Sequence, residues 1–520
     1  MPNFDELEHN FEKFLIESDD EHPGAEESDQ NEELSLSEYS TDDEQEEENV
    51  NRTFWSGDIE ANDNWSFDDE CGFNTKFLEG CFEPIDFFEL FFNRDIIGLI
   101  VVETNRYGSE KNQTWVPTNS MEIRKFIGLC LQMSIVRLPH LRDYWSTRPV
   151  YGGYPIGTKI MTRNRFESLL SSLHLADNSS YDGINRLYKI SPFLDLLNTA
   201  FQSAYKPGKK VCIDESLVPF RGRIIFKQYI PNKRHRYGIK LFKLCAVGGY
   251  TSKVEIYAGK DTSRIGSVAS SVVLRLMNGL LDHGRILYTD NWYSSVPLAE
   301  ELIQRKTHLV GTIKKNRKGL PKEVIDTKLK RGMSIARQNP NGVTVMKWVD
   351  KREIFMLSTL HDNAINQDGK PVIVEDYNSG KMYVDISYQM AAYTPFLRRT
   401  TKWYIRLFFH LLTQTALVNS WRLYCDNVNK VKLNDFKIEI IESLLENDRQ
   451  YVPKTKHWLE ELDGPKALSR KRCHACYNKM SKTHGYKFAT ARAKKNNTRC
   501  SKCKKHFCLE CFQKKHAKCD

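Results

Sequence analysis

The C-terminal tail carries the feature that most restricts the fold, a set of four ligand-type residue pairs. Each pair has two intervening residues, and the pairs are Cys473 and Cys476, Cys500 and Cys503, Cys508 and Cys511, and His516 and Cys519. Eight such side chains suit two tetrahedral zinc sites. Because the tail has few large apolar side chains, metal would have to supply its folding energy. The spacing therefore predicts a zinc-binding domain at residues 473–520 with two structural Zn²⁺ ions.

These pairs can be combined in two ways. We expect an interleaved cross-brace, in which the first and third pairs hold one ion and the second and fourth pairs hold the other. One ion would be bound by Cys473, Cys476, Cys508 and Cys511, and the other by Cys500, Cys503, His516 and Cys519. The alternative is sequential pairing, in which neighbouring pairs share an ion. His474 and His506 are spare candidates that we expect on the surface.

Basic residues surround these ligands. They are Arg470, Lys471, Arg472, Lys494, Lys495, Lys502, Lys504 and Lys505. Such a module suits DNA or chromatin, and the run at 470–472 suits import into the nucleus. A protein-binding zinc module of the RING or PHD kind is the alternative. Seven of the 13 cysteines lie after residue 472, which indicates metal ligation in a reducing compartment rather than disulfides.

Charge is unevenly distributed along the chain. Residues 1–50 contain 20 acidic residues and one lysine, so a net charge of +9 for the whole chain leaves +28 on the remainder. A strongly basic body favours a polyanionic partner, and nucleic acid is the obvious one, although a generally soluble basic protein is the alternative. Residues 1–78 are predicted to be an acidic, disordered tail.

The apolar pattern divides the body into segments. Helical spacing dominates residues 80–205, strand-like segments follow between residues 211 and 289 and again between 344 and 357, and helical spacing returns at 402–424. No apolar run is long enough to span a membrane, and the N-terminus lacks the pattern of a signal peptide. We therefore expect a soluble intracellular protein without a membrane partner.

Three aspartates lie beside predicted secondary structure in a way that suggests chemistry. Asp214 and Asp290 each follow an apolar, strand-like run, and Asp385 precedes a short helical run. A carboxylate at the end of a buried strand is costly unless it is paired or binds metal. Three converging carboxylates could hold two Mg²⁺ ions. Aspartate is also common at strand ends and in turns, so spacing alone does not assemble a site.

Two basic segments are candidates for contacts with DNA phosphates. The first follows Asp214 and is interleaved with Tyr229 and Tyr237, and the second opens an aromatic helix. Their basic residues are Arg221, Arg223, Lys227, Lys233, Arg234, Arg236, Lys240, Arg398, Arg399 and Lys402. The alternative is that these charges form a solvated face without a ligand.

A series of motifs, taken in order, resembles the piggyBac transposase family. They are Ile213-Asp-Glu-Ser-Leu with Phe220-Arg-Gly-Arg, Tyr229-Ile-Pro-Asn-Lys with Tyr237-Gly-Ile-Lys, Thr289-Asp-Asn-Trp-Tyr-Ser-Ser-Val-Pro-Leu, Asp376-Tyr-Asn with Val384-Asp and Gln389-Met, and the cysteine-rich tail. The resemblance implies a multidomain α/β fold with an RNase H-like catalytic core at 209–314 and 367–394, interrupted by an insertion domain at 315–366. A helical dimerisation and DNA-binding domain would be split between 79–208 and 395–455. A basic linker at 456–472 would lead to the zinc module.

The same resemblance implies an activity. The family's catalytic aspartates match Asp214, Asp290 and Asp385, and the family uses Mg²⁺ to cleave transposon ends and insert them at TTAA targets. The implied partners are double-stranded DNA with terminal inverted repeats and a second copy of the chain, in the nucleus. Two positions depart from the family pattern: Tyr388 stands where a fourth acidic residue is usual, and Met382-Tyr383 stands where small residues are usual.

These departures keep two other functions open. One is a domesticated, transposase-derived protein that binds DNA or chromatin without catalysis. The other is a chromatin reader that acts through the zinc module alone.

Overall fold

The computed structural model describes residues 54–60, 62–152, 159–230, 235–259, 267–392, 396, 400–446, 459–462, 470–500, 503–508 and 511–512. The chain separates into two units, Met1–Glu47 and Glu48–Asp520, and all described residues belong to the second unit. The first 53 residues of the predicted acidic tail lie outside the described residues.

Short β-strands occur throughout the described part of the chain. They are β1 Gly72–Phe73, β2 Tyr205–Lys206, β3 Lys210–Pro219, β4 Gln228–Tyr229, β5 Tyr237–Ala246, β6 Thr251–Ile256, β7 Arg285–Thr289, β8 Thr307–Thr312, β9 Ser334–Gln338, β10 Thr344–Val349, β11 Glu353–Ser358, β12 Leu459–Glu461, β13 Lys471–Arg472, β14 Lys495–Asn496 and β15 Thr498–Cys500. Within the described ranges, nine of them form one mixed sheet in the order β4, β5, β3, β7, β8, β11, β10, β9, with β6 also paired to β5. Strands β3, β7 and β8 run parallel, and β5 is antiparallel to β3.

The helices surround this sheet and build a second, helical region. They are α1 Pro84–Glu89, α2 Arg94–Lys111, α3 Ser120–Ile135, α4 Arg163–Ser172, α5 Ser191–Ala204, α6 Val268–Met277, α7 Val296–Gln304, α8 Lys322–Asp326, α9 Val372–Gly380, α10 Tyr383–Ala391, α11 Trp403–His410, α12 Leu417–Asn427, α13 Leu433–Leu445, α14 His474–His484 and α15 Tyr486–Arg492. A π-helical turn, Leu411–Ala416, joins α11 to α12. Several helices begin at a residue whose side chain accepts a backbone N–H, as Asn93 does for α2 and Ser267 for α6.

The central strands are buried on both faces, as expected for parallel strands between helical layers. Alternate residues of β3 enter different cores: Val211 and Ile213 pack with α6 and α7, whereas Cys212 packs with α9 and α10. Because successive side chains of a strand point to opposite faces and both faces of β3 are buried, the segment is a continuous apolar run in the sequence.

Residues 315–366, expected to form an insertion domain, contain α8 and strands β9, β10 and β11. Residues Met356–Ser358 of β11 pair antiparallel with Val310–Thr312 of β8. Strands β11, β10 and β9 of this segment therefore extend the main sheet beyond β8.

Helices from both ends of the body share one apolar core. Aromatic residues of α3, α4 and α5 pack there with aromatic residues of α11 and α13. The contact between Phe193 and Phe408, with ring centroids 5.0 Å apart, joins a helix before the sheet to one after it. Two stretches that are distant in sequence therefore make one helical region.

The prediction of a disordered tail to residue 78 was wrong for residues 54–60 and 62–78, which lie first against the main sheet and then against the helical core. Residues 54–60 and 62–73 form what we call the N-terminal strap. Ser56 forms a β-bridge with Gln338, and the ring of Trp65 stacks on His308 at 4.4 Å. Asp69 forms an ion pair with Arg285, whose side chain is fully buried. Composition missed this segment because its contacts are made with residues that are distant in sequence.

The C-terminal module is small and has little apolar core. Strand β12 pairs with β15, β13 pairs with β14, and α14 begins directly after Cys473. Its buried cluster consists of Cys473, Cys500, Phe507 and Phe512. No helix in the described part of the chain combines the length and the hydropathy that crossing a membrane requires.

Candidate active site

Asp214 and Asp290 meet because of the register of two parallel strands. Ile213 of β3 pairs with Thr289 of β7, so the next residue on each strand is one of the two aspartates. Oxygens from these carboxylates and from Glu215 all lie within 4.8 Å of one another. The structure therefore gathers three acidic groups at one point on the sheet, and we call them the carboxylate cluster.

Backbone amides orient two members of the carboxylate cluster. The N–H of Glu215 donates to Asp214 Oδ1 at 2.7 Å, and the N–H of Trp292 donates to Asp290 Oδ1 at 2.9 Å. Burial, followed by the charges of Glu215 and Asp290, raises the pKa of Asp214 to about 8. Burial, followed by the charge of Glu215, raises the pKa of Asp290 to about 6. Crowded, partly desolvated carboxylates of this kind favour a bound cation.

Glu215 was missed as a site residue by the sequence reasoning. The Tyr293 hydroxyl donates to Glu215 Oε2 at 3.4 Å, and the Lys240 ammonium lies 3.9 Å from the same oxygen. Strand alternation places Glu215 on the opposite face from Asp214, which argues against a shared site. Oxygens of the two side chains nevertheless lie within 4.8 Å of each other. Its position beside Asp214 was the only available signal.

Asp385 lies at the rim of the site. Asp385 is an exposed residue in the first turn of α10, and its carboxylate is not one of the three in the carboxylate cluster. Its negative charge nevertheless adds to the raised pKa of Asp214, after burial and the nearer carboxylates. The structure thus brings together two of the three predicted aspartates and places the third nearby.

The bulky residues before Asp385 are accommodated without entering the site. Tyr383 is buried in the core under α9 and α10, where its ring lies 6.5 Å from that of Tyr288. Met382 precedes α10 and its side chain is exposed. Tyr388, at the position of the family's fourth acidic residue, directs its hydroxyl to the Leu217 carbonyl at 3.4 Å.

A polar anchor ties the helices that carry Asp385 to the sheet. Asp376 in α9 accepts hydrogen bonds from the Tyr288 hydroxyl at 2.9 Å and from the Lys210 ammonium at 2.8 Å. The Cys212 thiol donates to the Lys381 carbonyl, between α9 and α10, at 3.4 Å. These contacts hold α9, and through it α10, against β3 and β7.

The candidate DNA-contacting residues differ in their exposure. Arg221, Arg223 and Arg236 are exposed. The Lys227 ammonium lies over the Tyr237 ring at 5.7 Å, whereas the Lys402 ammonium donates to the Ser171 carbonyl at 2.7 Å. Lys240 lies at the carboxylate cluster instead of on the outer surface. Outside the described residues are Lys233, Arg234, Arg398 and Arg399.

Four thiols of the C-terminal module form the second candidate site. They are those of Cys473, Cys476, Cys508 and Cys511, and all four lie within 4.8 Å of one another. Cys476 Sγ lies 3.5 Å from Cys511 Sγ and 3.9 Å from Cys508 Sγ. A tetrahedron with Zn–S bonds of about 2.3 Å has edges of about 3.8 Å, so the spacing fits zinc. This is the first ligand set of the cross-brace, not of sequential pairing.

The second ligand set is described only in part. Cys500 is fully buried, and its sulfur accepts the N–H of Cys503 at 3.4 Å. The other two members, His516 and Cys519, lie outside the described residues. The second zinc site therefore stays a prediction.

The sequence of this chain is similar to known transposases and transposase-derived proteins over most of its length. A family model described as Transposase IS4 matches residues 83–421, well over half of the chain. PiggyBac transposable element-derived protein 3 from Homo sapiens is 26% identical over 466 residues, which cover 84% of this chain and 75% of that protein. The chain belongs to the piggyBac-type transposase family. PiggyBac transposable element-derived protein 2 from Homo sapiens is 26% identical over 440 residues, covering 76% of this chain and 72% of that protein.

A solved piggyBac structure supports the same relationship in three dimensions. The cryo-electron microscopy structure of the piggyBac transposase synaptic complex with hairpin DNA matches with a TM-score of 0.66 and 25% sequence identity. The match covers 78% of this chain and 96% of that chain. The piggyBac resemblance seen in the motifs is thus confirmed, and the chain has the multidomain α/β transposase fold.

Proposed function

We propose that this chain is a metal-dependent DNA transposase with an RNase H-like core, which cleaves transposon ends and joins them to TTAA targets. The observation that carries the proposal is the carboxylate cluster of Asp214, Glu215 and Asp290, whose oxygens lie within 4.8 Å of one another. Hard oxygen donors at this spacing suit Mg²⁺. The raised pKa values of Asp214 and Asp290 follow first from burial and then from the negative charges of the neighbouring carboxylates.

The donor set fits two Mg²⁺ ions held by Asp214, Glu215 and Asp290, with Asp385 contributing from α10. When bound, Mg²⁺ would supply activation of the attacking water or 3′-hydroxyl and charge stabilisation of the leaving oxygen. The chain's own groups orient the donors: amide N–H groups hold Asp214 and Asp290, and the anchor at Asp376 positions the helix of Asp385. Positioning by fixed backbone amides keeps the carboxylates convergent despite their mutual repulsion.

We propose double-stranded DNA, with terminal inverted repeats and a TTAA target, as the substrate, bound by a homodimer. The similar solved complex contains hairpin DNA. Arg221, Arg223 and Arg236 project from the segment between β3 and β5, next to the carboxylate cluster in sequence, and are exposed. Exposed guanidinium groups on this segment would bind the phosphates of the DNA backbone.

We propose that the C-terminal module binds two structural Zn²⁺ ions in a cross-brace and contacts DNA in the nucleus. The thiol spacing at Cys473, Cys476, Cys508 and Cys511 supports the first ion. Arg470, Lys471 and Arg472, which suit nuclear import, are exposed at the start of the module.

The test is Mg²⁺-dependent nicking of piggyBac-type transposon ends by the full-length, zinc-loaded chain. Asp290→Asn removes a central carboxylate and should lower the nicking rate by about 100-fold or more. Asp282→Asn is the matched control, because Asp282 pairs with Arg305 at the surface. Wild-type protein that does not nick, or nicking that Asp290→Asn leaves unchanged, would contradict the proposal.

A second function, DNA binding without catalysis, is favoured by one specific observation. Tyr388 replaces an acidic residue of the family and contacts the Leu217 carbonyl, while Asp385 stays outside the carboxylate cluster. If wild-type protein binds transposon ends without nicking them, and Tyr388→Asp gains Mg²⁺-dependent nicking, the non-catalytic function is the correct one.

A further inference from the structure

Lys240 is held in an unusual position for a lysine in a DNA-binding segment. Its ammonium lies 4.3 Å from the ring centroid of Trp292 and 5.0 Å from that of Phe242, two rings that stack on each other at 5.5 Å. Its side chain is 12% exposed, and the ammonium is 3.9 Å from Glu215 Oε2. Aromatic faces attract a cation and limit its movement, so the charge is fixed beside the carboxylate cluster.

Strand register explains this placement. Lys240 of β5 pairs with Leu217 of β3, and Glu215 pairs with Phe242, so Lys240 and Glu215 project from the same face of the sheet. Its positive charge also reaches Asp290, since it opposes the burial that raises the pKa of that carboxyl. The cluster therefore contains one protein cation together with three carboxylates.

The ion pair between Lys240 and Glu215 is loose. A separation of 3.9 Å exceeds hydrogen-bond length, so the pair rests on charge attraction more than on a directed bond. A lysine ammonium carries three donors that can turn toward a new acceptor. A phosphate oxygen entering the carboxylate cluster would be such an acceptor.

We propose that Lys240 binds the phosphate that enters the carboxylate cluster, and that before DNA arrives it neutralises Glu215 in competition with a divalent cation. This role of Lys240 rests on the proposed function, because it requires that the carboxylate cluster is the metal site. Metal binding engages Glu215 and releases the ammonium, which then pairs with the phosphate. Lys240 would therefore link metal occupancy to DNA binding.

Lys227 provides a matched control. Its ammonium also lies over an aromatic ring, that of Tyr237 at 5.7 Å, and it donates to the Gly222 carbonyl at 3.3 Å. It is in the same basic segment, but its contacts are with Tyr237 and Gly222, whereas Lys240 contacts Glu215. Both lysines could bind DNA, whereas only Lys240 should affect the affinity for a divalent ion.

The first experiment titrates the zinc-loaded, full-length chain with Mn²⁺ in the absence of DNA. Asp290→Asn defines the signal that belongs to the cluster. Lys240→Met removes a competing charge and should raise Mn²⁺ affinity by about three- to tenfold. Lys240→Arg keeps the charge and should stay near wild type, as should Lys227→Met. Mere damage to the site would lower the affinity, so a rise separates loss of charge from misfolding.

The second experiment measures affinity for a TTAA-containing DNA duplex with and without Ca²⁺, an ion that binds carboxylates and supports DNA binding without rapid cleavage. Lys240→Met should remove most of the Ca²⁺-dependent gain in affinity. Lys227→Met should weaken binding equally in both conditions, because it acts as an outer phosphate contact.

The outcomes separate the two proposals. If Asp290→Asn removes no Mn²⁺ signal from wild-type protein, the metal site and the role of Lys240 both fail. If wild-type protein binds Mn²⁺ and Lys240→Met binds it equally or more weakly, the role of Lys240 fails while the metal site stands. Equal effects of the two lysine variants on Ca²⁺-dependent DNA binding would overturn the phosphate assignment.

Discussion

Ile213 and Thr289 are register partners in adjacent parallel strands, and their pairing makes Asp214 and Asp290 neighbours. The two aspartates, at positions 214 and 290, are 76 residues apart in the sequence. Paired parallel strands run side by side in the same direction, so the residues one position beyond a register pair are also neighbours. In this chain that environment is partly desolvated and crowded with a third carboxylate, Glu215.

The first prediction concerns pH. The pKa values of Asp214 and Asp290 are raised from 3.8 to about 8 and about 6, so protons compete with metal over this range. Divalent-ion affinity should therefore rise by about ten- to hundredfold between pH 6 and pH 8. Calorimetric titration with Mg²⁺ at several pH values, with measured proton release, checks this expectation.

The same pKa shifts fix the sign of a stability effect. Both carboxyls bind protons more tightly in the folded chain than in the unfolded chain. Metal-free protein should therefore lose stability as pH rises from about 4 through about 8, and bound metal should reverse the trend. If the affinity for Mg²⁺ does not change between pH 6 and pH 8, the carboxyl groups of the cluster are already ionised in that range, and both expectations fail.

The second prediction concerns the N-terminal strap. Asp69 pairs with Arg285, and their side chains are 7% and 0% exposed. Asp69→Ala leaves a buried guanidinium without its ion-pair partner and should lower the free energy of unfolding by about 3 kcal/mol. Chemical denaturation measures the loss, and limited proteolysis of residues 54–73 should show whether the strap detaches.

Asp68 is the matched control for the strap. It is 67% exposed and pairs with His283 at the surface. Asp68→Ala should change the stability by about 0–1 kcal/mol. Similar losses for the two alanine variants would show that the buried ion pair with Arg285 does not hold the strap.

The third prediction concerns packing between α9 and the sheet. A Cβ atom at Gly380 would overlap the ring of Tyr288, which is fully buried in β7. Gly380→Ala should therefore lower the free energy of unfolding by about 1–3 kcal/mol, because neither the helix nor the ring has room to move. Thermal and chemical denaturation measure the change.

Gly98 in α2 is the contrasting helical glycine. A Cβ at that position meets nothing within 4 Å. Gly98→Ala should raise the stability by about 0.5–1 kcal/mol through helix propensity. Changes of the same sign in the two variants would contradict the close approach of α9 to Tyr288.

The fourth prediction concerns zinc. Cys476 lies within 4 Å of two other thiols in the four-thiol group. Cys476→Ser should reduce bound zinc from about two ions to about one per chain and expose the backbone of α14 to hydrogen exchange. Metal analysis and exchange measurements test both outcomes.

Cys71 supplies the control for this substitution, since it is an exposed cysteine outside the module. Cys71→Ser should keep about two zinc ions. Full zinc content in Cys476→Ser would exclude that cysteine as a ligand.

Local patterns predicted much of the secondary structure correctly. The apolar runs after residues 211, 240, 254 and 286 are strands, and the helical spacing at 402–424 matches α11, the π-helical turn and α12. These elements were predictable because burial of one or two faces imposes a period on the sequence. The strap was not predictable in this way, because its order comes from Asp69, Trp65 and Asn62 contacting residues far away in sequence.

In the candidate sites, too, some features could be predicted from the sequence and others required the folded chain. The cysteine pairs could be recognised from their spacing, because two ligands with two intervening residues can bind one ion. The grouping of the first pair with the third, rather than with its neighbour, required the folded chain. Lys240 was predicted as one of several candidates for contacts with DNA phosphates, and only the pairing of β3 with β5 showed it beside Glu215. Tyr388 was recognised as a departure, but its contact with the Leu217 carbonyl required the folded chain.

The sequence by itself determined the family relationship, the period of the main strands and helices, and the cysteine pairs of the C-terminal module, because each depends on residue types at short spacing. Tertiary structure alone decided that Glu215 and Lys240 join Asp214 and Asp290, and that Asp385 lies at the rim. Strand register and helix packing set those positions, and both arise from contacts between segments that no local pattern encodes.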